Sequence, residues 1–273
     1  MRFPVASAPS LLAALAVSVA AVFVAGCSAG PEDEDPSTGA AASSAAIPVK
    51  TMCFSGRSWS SDPYSVGGAA DLAALCSGLP GLIVDERDGR DAAYPFFRWD
   101  SSTSHELDVL VHALDTDGDG RVTEADAPAR LNVVGFSWGG YNARDLVRGI
   151  DDDDRFVGKR KIVEGFYALD PYRTDALIFR KAQMNVPANL RTFWEFRHTV
   201  APDDDCSRTS LGIVGPFTGR TPYCTGTTAC RDFDYSLSTS TAGVDHCGVP
   251  RAASAIVRAA ITGAPLPALP REH

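Results

Sequence analysis

Residues 131–146 read L-N-V-V-G-F-S-W-G-G-Y-N-A-R-D-L, and no other stretch constrains the fold as strongly. Leu131 to Val134 form a mostly apolar run of β type. Gly135-Phe136-Ser137-Trp138-Gly139 follows, a G-x-S-x-G pentapeptide. Beyond it, Ala143, Leu146, Val147 and Ile150 fall on one side of a helix. In a chain with 24 glycines the pentapeptide alone is a weak signal. Its setting supplies the weight. A serine stands exposed at a strand end when a sharp turn joins that strand to a helix, and glycines let such a turn tighten. The competing reading is an ordinary turn serine.

A nucleophilic serine needs a base, and the base needs an acid to orient it. The chain offers both in the order serine, acid, histidine. Asp170 follows the apolar run Gly165–Leu169, and His246 sits late, in V-D-H-C-G-V. His105 and His112 fall on a predicted helix before the serine, His198 lies inside a predicted strand and His273 is terminal, so each competes poorly as base. The acid has rivals. Asp170-Pro171 also fits a plain helix N-cap with proline at the first helical position. Asp203 and Asp204 are rivals because they follow the next predicted strand. Asp245 adjoins the histidine and is poorly placed to reach its ring.

With the serine turn and the late Asp-His on the page, the chain from Pro48 to Gly263 resembles bacterial α/β-hydrolases of the lipase/esterase type. The resemblance implies a mostly parallel central sheet with helices on both faces, and a Ser137–His246–Asp170 triad. Asp170 is favoured because a Leu-Asp-Pro after the strand that follows the serine resembles the lipase subgroup with an early acid. It also implies an oxyanion hole made by the backbone N–H of Trp138 and one from the loop after the first strand, where Arg57 is the expected donor. No His-Gly pair stands in that loop, a departure from the common hydrolase pattern. Trp59 and Trp138 could line an acyl pocket or simply pack in the core.

The coarse pattern agrees with alternating βα units. Strands are predicted at Val49–Phe54, Leu82–Asp85, Leu131–Val134, Lys161–Leu169 and Leu190–Thr199. Helices are predicted at Ala69–Cys76, Ser104–Leu114, after Ser137, at Thr174–Ala182 and at Arg251–Thr262. In sheets of this kind sites form beyond the carboxyl ends of the strands.

A second motif is D-T-D-G-D-G-R-V-T-E-A-D, Asp115 to Asp126. It matches the D-x-D-x-D-G calcium loop, with Asp115, Asp117 and Asp119 alternating and Gly120 at the sharp turn. Arg121 would lend its backbone carbonyl. Asp126 stands where an EF-hand has glutamate, so this end is closer to a dockerin-type loop. A structural Ca²⁺ is the expected occupant and no organic cofactor is implied. An acidic turn without metal is the plainer alternative.

The N-terminus reads as an export signal. Arg2 precedes the apolar run Leu11–Val24, which is short for a membrane span and ends in Val-Ala-Gly-Cys27. That ending resembles a bacterial lipobox, implying a signal peptide over 1–26, acylation of Cys27 and an exported, membrane-anchored protein. An ordinary cleaved signal is the alternative. Residues 27–46 are rich in Ser, Ala, Gly and Pro and read as a flexible tether, leaving 47–273 as one α/β domain.

Setting Cys27 aside, the six remaining cysteines suit disulfides in an exported chain, with Cys53–Cys76 the expected local pair and the late four pairing among themselves. A bridge at Cys247 would hold the loop of His246. A cysteine–zinc site is disfavoured by the lack of C-x-x-C spacing. The net charge of −9 falls in patches such as Asp151–Asp154, and no basic stripe invites nucleic acid. The expected partners are an acyl substrate, small or lipid, and the membrane through the anchor. An exported ester hydrolase is the leading reading. The alternative is a non-catalytic, calcium-stabilised surface lipoprotein or binding module on the same scaffold.

Overall fold

The computed structural model describes residues 47–56, 68–85, 96–98, 102–158, 162–171, 184–198, 222–224, 228–235 and 244–272. Cys27, Arg57, Trp59, Asp203, Asp204 and the helix expected at 174–182 lie outside them. None of the described helices is long and apolar enough to cross a membrane.

Five parallel strands form the central sheet: β1 (Val49–Phe54), β2 (Arg130–Phe136), β3 (Val163–Leu169), β5 (Leu190–Arg197) and β7 (Ala229–Asp234). They lie side by side in the order β1-β2-β3-β5-β7. Two short strands, β4 (Asn185–Val186) and β6 (Tyr223–Cys224), pair separately. The described helices are α1 (Ala69–Ser77), α2 (Thr103–Leu114), α3 (Trp138–Asp152) and α4 (Val249–Thr262).

Alternation along each strand divides the core between the two faces. Met52, Phe54, Leu131, Val133, Phe166, Ala168 and Phe193 meet α2 and α3 on one side. Cys53, Val134, Phe136, Tyr167, Leu169, Phe196 and Phe233 meet α1 and α4 on the other. Every residue of β2 from Leu131 to Phe136 is buried, as expected of a parallel strand covered on both faces. The expected helical stripe of α3 is buried as well, through Ala143, Leu146, Val147 and Ile150. The mixed α/β class with a parallel sheet and helices on both faces is therefore observed.

Three expectations change. Leu82–Asp85 is not a strand: Leu82 makes a single bridge to Thr51 just after the Pro80-Gly81 turn, and Asp85 turns to pair with His105 of α2. The strand expected over Leu190–Thr199 stops at Arg197, leaving His198 just past its end. The edge strand β7 was not expected, because A-C-R-D-F-D carries charge at Arg231, Asp232 and Asp234. Those acids have an internal use. Arg197, 2% exposed, grips Asp232 through two hydrogen bonds of 2.7 and 3.0 Å and reaches Asp234 at 3.2 Å. A two-pronged guanidinium–carboxylate contact is the geometry that offsets part of the cost of burying charge.

Cys53 and Cys76 are bridged, tying β1 to α1. The bridge spans 23 residues, so chain-entropy reasoning assigns it about 3 kcal/mol. Cys224 pairs with Cys230, and Cys247 is also disulfide-bonded.

Candidate active site

Ser137 occupies the turn between β2 and α3 with φ 54° and ψ −124°. Ser137 and Asp170 are the non-glycine residues with positive φ among those described. Such conformations are strained for residues with a side chain, and they persist only where the surroundings impose them. The imposing contacts are visible here. Ser137 N–H donates to the Leu169 carbonyl at 3.0 Å, and Asp170 N–H donates to the Phe196 carbonyl at 2.6 Å. Each bond ties the residue just past one strand to the end of its neighbour. The flanking glycines are required for close approach. A Cβ on Gly135 would meet the Gly139 carbonyl and Gly140 Cα at 2.7 Å, and one on Gly139 would collide with the backbone of Phe54 and Ser55.

The sequence separates Ser137, Asp170 and His246 widely, yet their side chains form one line. His246 Nε2 is 3.0 Å from Ser137 Oγ, and His246 Nδ1 is 2.7 Å from Asp170 Oδ2. With the ring proton on Nδ1, the imidazole donates to the carboxylate and its Nε2 accepts the serine hydroxyl proton. Ser137, His246 and Asp170 are 8%, 5% and 2% exposed, so the line is shielded from bulk water. The imidazole of His246 stacks on Phe136 at 4.9 Å between ring centroids. Its loop is held by the disulfide at Cys247 and by Asp245, whose carboxylate and carbonyl cap the start of α4. Asp245 thus serves the start of the helix.

Burial opposes ionisation of Asp170, but the imidazoles of His198 and His246 beside it outweigh that cost and hold its carboxyl below the usual range. His198 is the residue that sequence reasoning passed over. It is fully buried, and its Nδ1 lies 2.6 Å from the oxygen that meets His246. That contact is within ion-pair distance, and His198 Nε2 has no hydrogen-bond partner. The available signal was its place at the carboxyl end of a parallel strand.

Trp138, the expected oxyanion donor, opens α3, where helix N–H groups point toward the serine end. On the facing side, Gly56 of the loop after β1 abuts Ser137: a Cβ there would come within 2.9 Å of the serine Cβ.

The acidic loop 115–126 lies between α2 and β2. Asp115 accepts from the Gly118 and Gly120 N–H groups at 2.7 and 2.8 Å, and both glycines have positive φ. Asp126 accepts from the Thr116 and Thr123 N–H groups, each at 2.6 Å, and these bonds lower its pKa. Asp117 is exposed and accepts from the Asp119 N–H, yet slight local desolvation and the charges of Asp119, Asp126 and Asp115 prevail and raise its pKa. Carboxylate oxygens of Asp115, Asp117 and Asp126 lie within 4.8 Å of one another. Asp119 is not in that group, and its Oδ1 accepts from the Arg121 N–H at 2.8 Å. Val122 bridges to Phe156 in the segment just after α3, and the loop leads into β2 at Arg130.

No family model matches the chain, and no curated protein matches it.

Proposed function

We propose that residues 47–273 form a serine hydrolase of the α/β-hydrolase type that cleaves an acyl ester. Ser137 Oγ attacks the acyl carbonyl. His246 Nε2 takes the hydroxyl proton and returns it to the leaving alcohol. Asp170 holds the ring with Nδ1 protonated and stabilises the imidazolium that forms. The Trp138 N–H and a second N–H from the loop at Arg57 receive the oxyanion. Water then releases the acyl group by the same route. Amides and thioesters use the same groups, so ester is the default substrate and not a derived one.

The observation that carries this reading is the line from Ser137 through His246 to Asp170, at 3.0 and 2.7 Å, starting from a serine in a strained turn. A structural serine has no need of that strain. The lipobox at Cys27 extends the proposal to an exported enzyme anchored at a membrane, working on small or lipid acyl substrates. The loop joins it as a structural Ca²⁺ site. Asp115, Asp117 and Asp126 would supply convergent oxygens, and the Arg121 backbone carbonyl would be a further ligand by its place in the loop. Their hard oxygen donors fit the ion. Its role is to fix the approach to β2 rather than to act on substrate.

The test is turnover of a panel of acyl esters by the wild-type chain and by Ser137→Ala. The variant should fold as the parent does and lose at least about a thousandfold in kcat/KM, keeping only what binding and the oxyanion site provide. A folded variant with near-parental turnover would remove Ser137 from the chemistry.

A further inference from the structure

Two imidazoles converge on one carboxylate oxygen. His246 Nδ1 lies 2.7 Å and His198 Nδ1 2.6 Å from Asp170 Oδ2, and the three donor atoms fall within 4.8 Å of one another. The rings are 6.2 Å apart between centroids and tilted by 44°, so they approach the carboxylate from two sides without stacking. All three residues are buried, and His198 is fully so. A serine relay uses one imidazole on its acid. The second has no place in that chemistry. Its Nδ1 meets the carboxylate at 2.6 Å, but its Nε2 has no hydrogen-bond partner, and buried polar groups are normally satisfied, so the second imidazole points to a missing partner.

We propose that Asp170, His198 and His246 form a binding site for a borderline divalent transition metal, Zn²⁺ in the first instance, and that metal binding there and ester turnover exclude one another. The exclusion rests on the triad reading; the binding does not. Two imidazole nitrogens and one carboxylate oxygen are a donor set that suits Zn²⁺ and not Ca²⁺. Metal bonds of about 2.0–2.1 Å set tetrahedral donors about 3.3 Å apart. The present nitrogen–oxygen separations suit a shared proton, and they must widen by about 0.6 Å for a metal. Rotation of the Asp170 carboxylate supplies such a shift.

The proton balance gives the exclusion. Zn²⁺ takes the lone pair of His246 Nδ1, so the ring proton moves from Nδ1 to Nε2 and none is lost. Nε2 then donates to Ser137 Oγ and cannot accept its proton. The base is blocked while the fold is unchanged. The acidic loop at 115–126 is a separate site with oxygen donors alone.

The test uses the full chain carrying Ser137→Ala, saturated with Ca²⁺ so that the loop does not compete. Co²⁺ is added and the visible d–d absorption followed, then Zn²⁺ is added to displace it. The expected result is intense bands of tetrahedral type, lost on adding Zn²⁺, with His198→Asn weakening Zn²⁺ at least tenfold. Absence of these bands, or equal affinity in His198→Asn, overturns the site. If His198→Asn does not fold, the bands in the chain with His198 intact decide it. The kinetic arm adds Zn²⁺ to the chain with Ser137 intact. Inhibition reversed by chelator, over the concentrations that displace Co²⁺, supports the exclusion. Turnover unaffected by bound Zn²⁺ overturns it. A chain that binds metal through His198 but takes up no fluorophosphonate label on Ser137 in the metal-free state refutes the triad reading and leaves the metal site standing.

Discussion

Aspartate does opposite things in two parts of this molecule. In the loop 115–126 the acids lie close in sequence and much of the loop is exposed, and each is satisfied by backbone N–H groups a few residues away. At the end of β3, Asp170 is buried and meets partners that the chain supplies 28 and 76 residues later. The first arrangement follows from local spacing and any chain with that spacing can adopt it. The second exists only once β3 and β5 are paired and the loop before α4 has closed over their ends. A carboxylate of the first kind can gather a hard cation; one of the second kind can orient a base. The difference lies in desolvation, which makes the few contacts of Asp170 count for more than those of an exposed acid.

The buried side breaks most severely. Asp170→Asn should lower kcat/KM by on the order of 10³–10⁴, because an amide favours the wrong tautomer of His246. Asp203→Asn and Asp204→Asn should change it little. Ester kinetics on the three variants decide the acid, and a larger loss at 203 or 204 would move the role away from Asp170.

The exposed side should break more gently and through stability. Ca²⁺ at a hundredfold excess over its dissociation constant should add about 2.7 kcal/mol. For a domain of this size that is a rise in Tm of about 5–10 °C. The paired substitution Asp115→Ala and Asp117→Ala should abolish the rise. A melting point indifferent to both Ca²⁺ and chelator would leave the loop an ordinary acidic turn.

The smallest effect sharpens what burial does to a carboxyl that has no imidazole beside it. Burial drives the pKa of Glu195 well up, repulsion from Asp232 adds to this, and Arg197 only partly opposes it. Its Oε2 has no hydrogen-bond partner. A folded-state pKa above the unfolded one gives stability that is full below the unfolded value, near 4.3, and is lost as pH rises through the folded value. Glu195→Gln should therefore raise Tm by a few degrees at pH 8, with the gain vanishing near pH 4. Thermal melts across that range check it; a destabilised variant at pH 8 would mean that Glu195 is ionised and paired.

What could be read in the sequence follows the same division. The turn at Ser137, the stripe of α3, the acidic loop and the Cys53–Cys76 pair are local or nearly so, and their periodicity or spacing identifies them. Asp170 emerged over its rivals through a resemblance and not through spacing, because its partners are remote. His198 reads as a strand residue, since nothing local separates a strand's last residue from the first residue past it. The edge strand β7 was hidden by charges that look solvated in sequence and are paired with buried Arg197 in the fold. Burial of charge is a tertiary property, and a one-dimensional pattern does not carry it.

The central claim is that Ser137 is a nucleophile made reactive by His246. The most direct measurement is labelling with a fluorophosphonate probe followed by peptide mapping, on the wild-type chain and on folded Ser137→Ala and His246→Ala variants. The account predicts one covalent adduct, on Ser137, absent from Ser137→Ala and formed at least about a hundredfold more slowly in His246→Ala. A wild-type chain that takes up no label at Ser137, or a His246→Ala variant that labels at the parental rate, would contradict it.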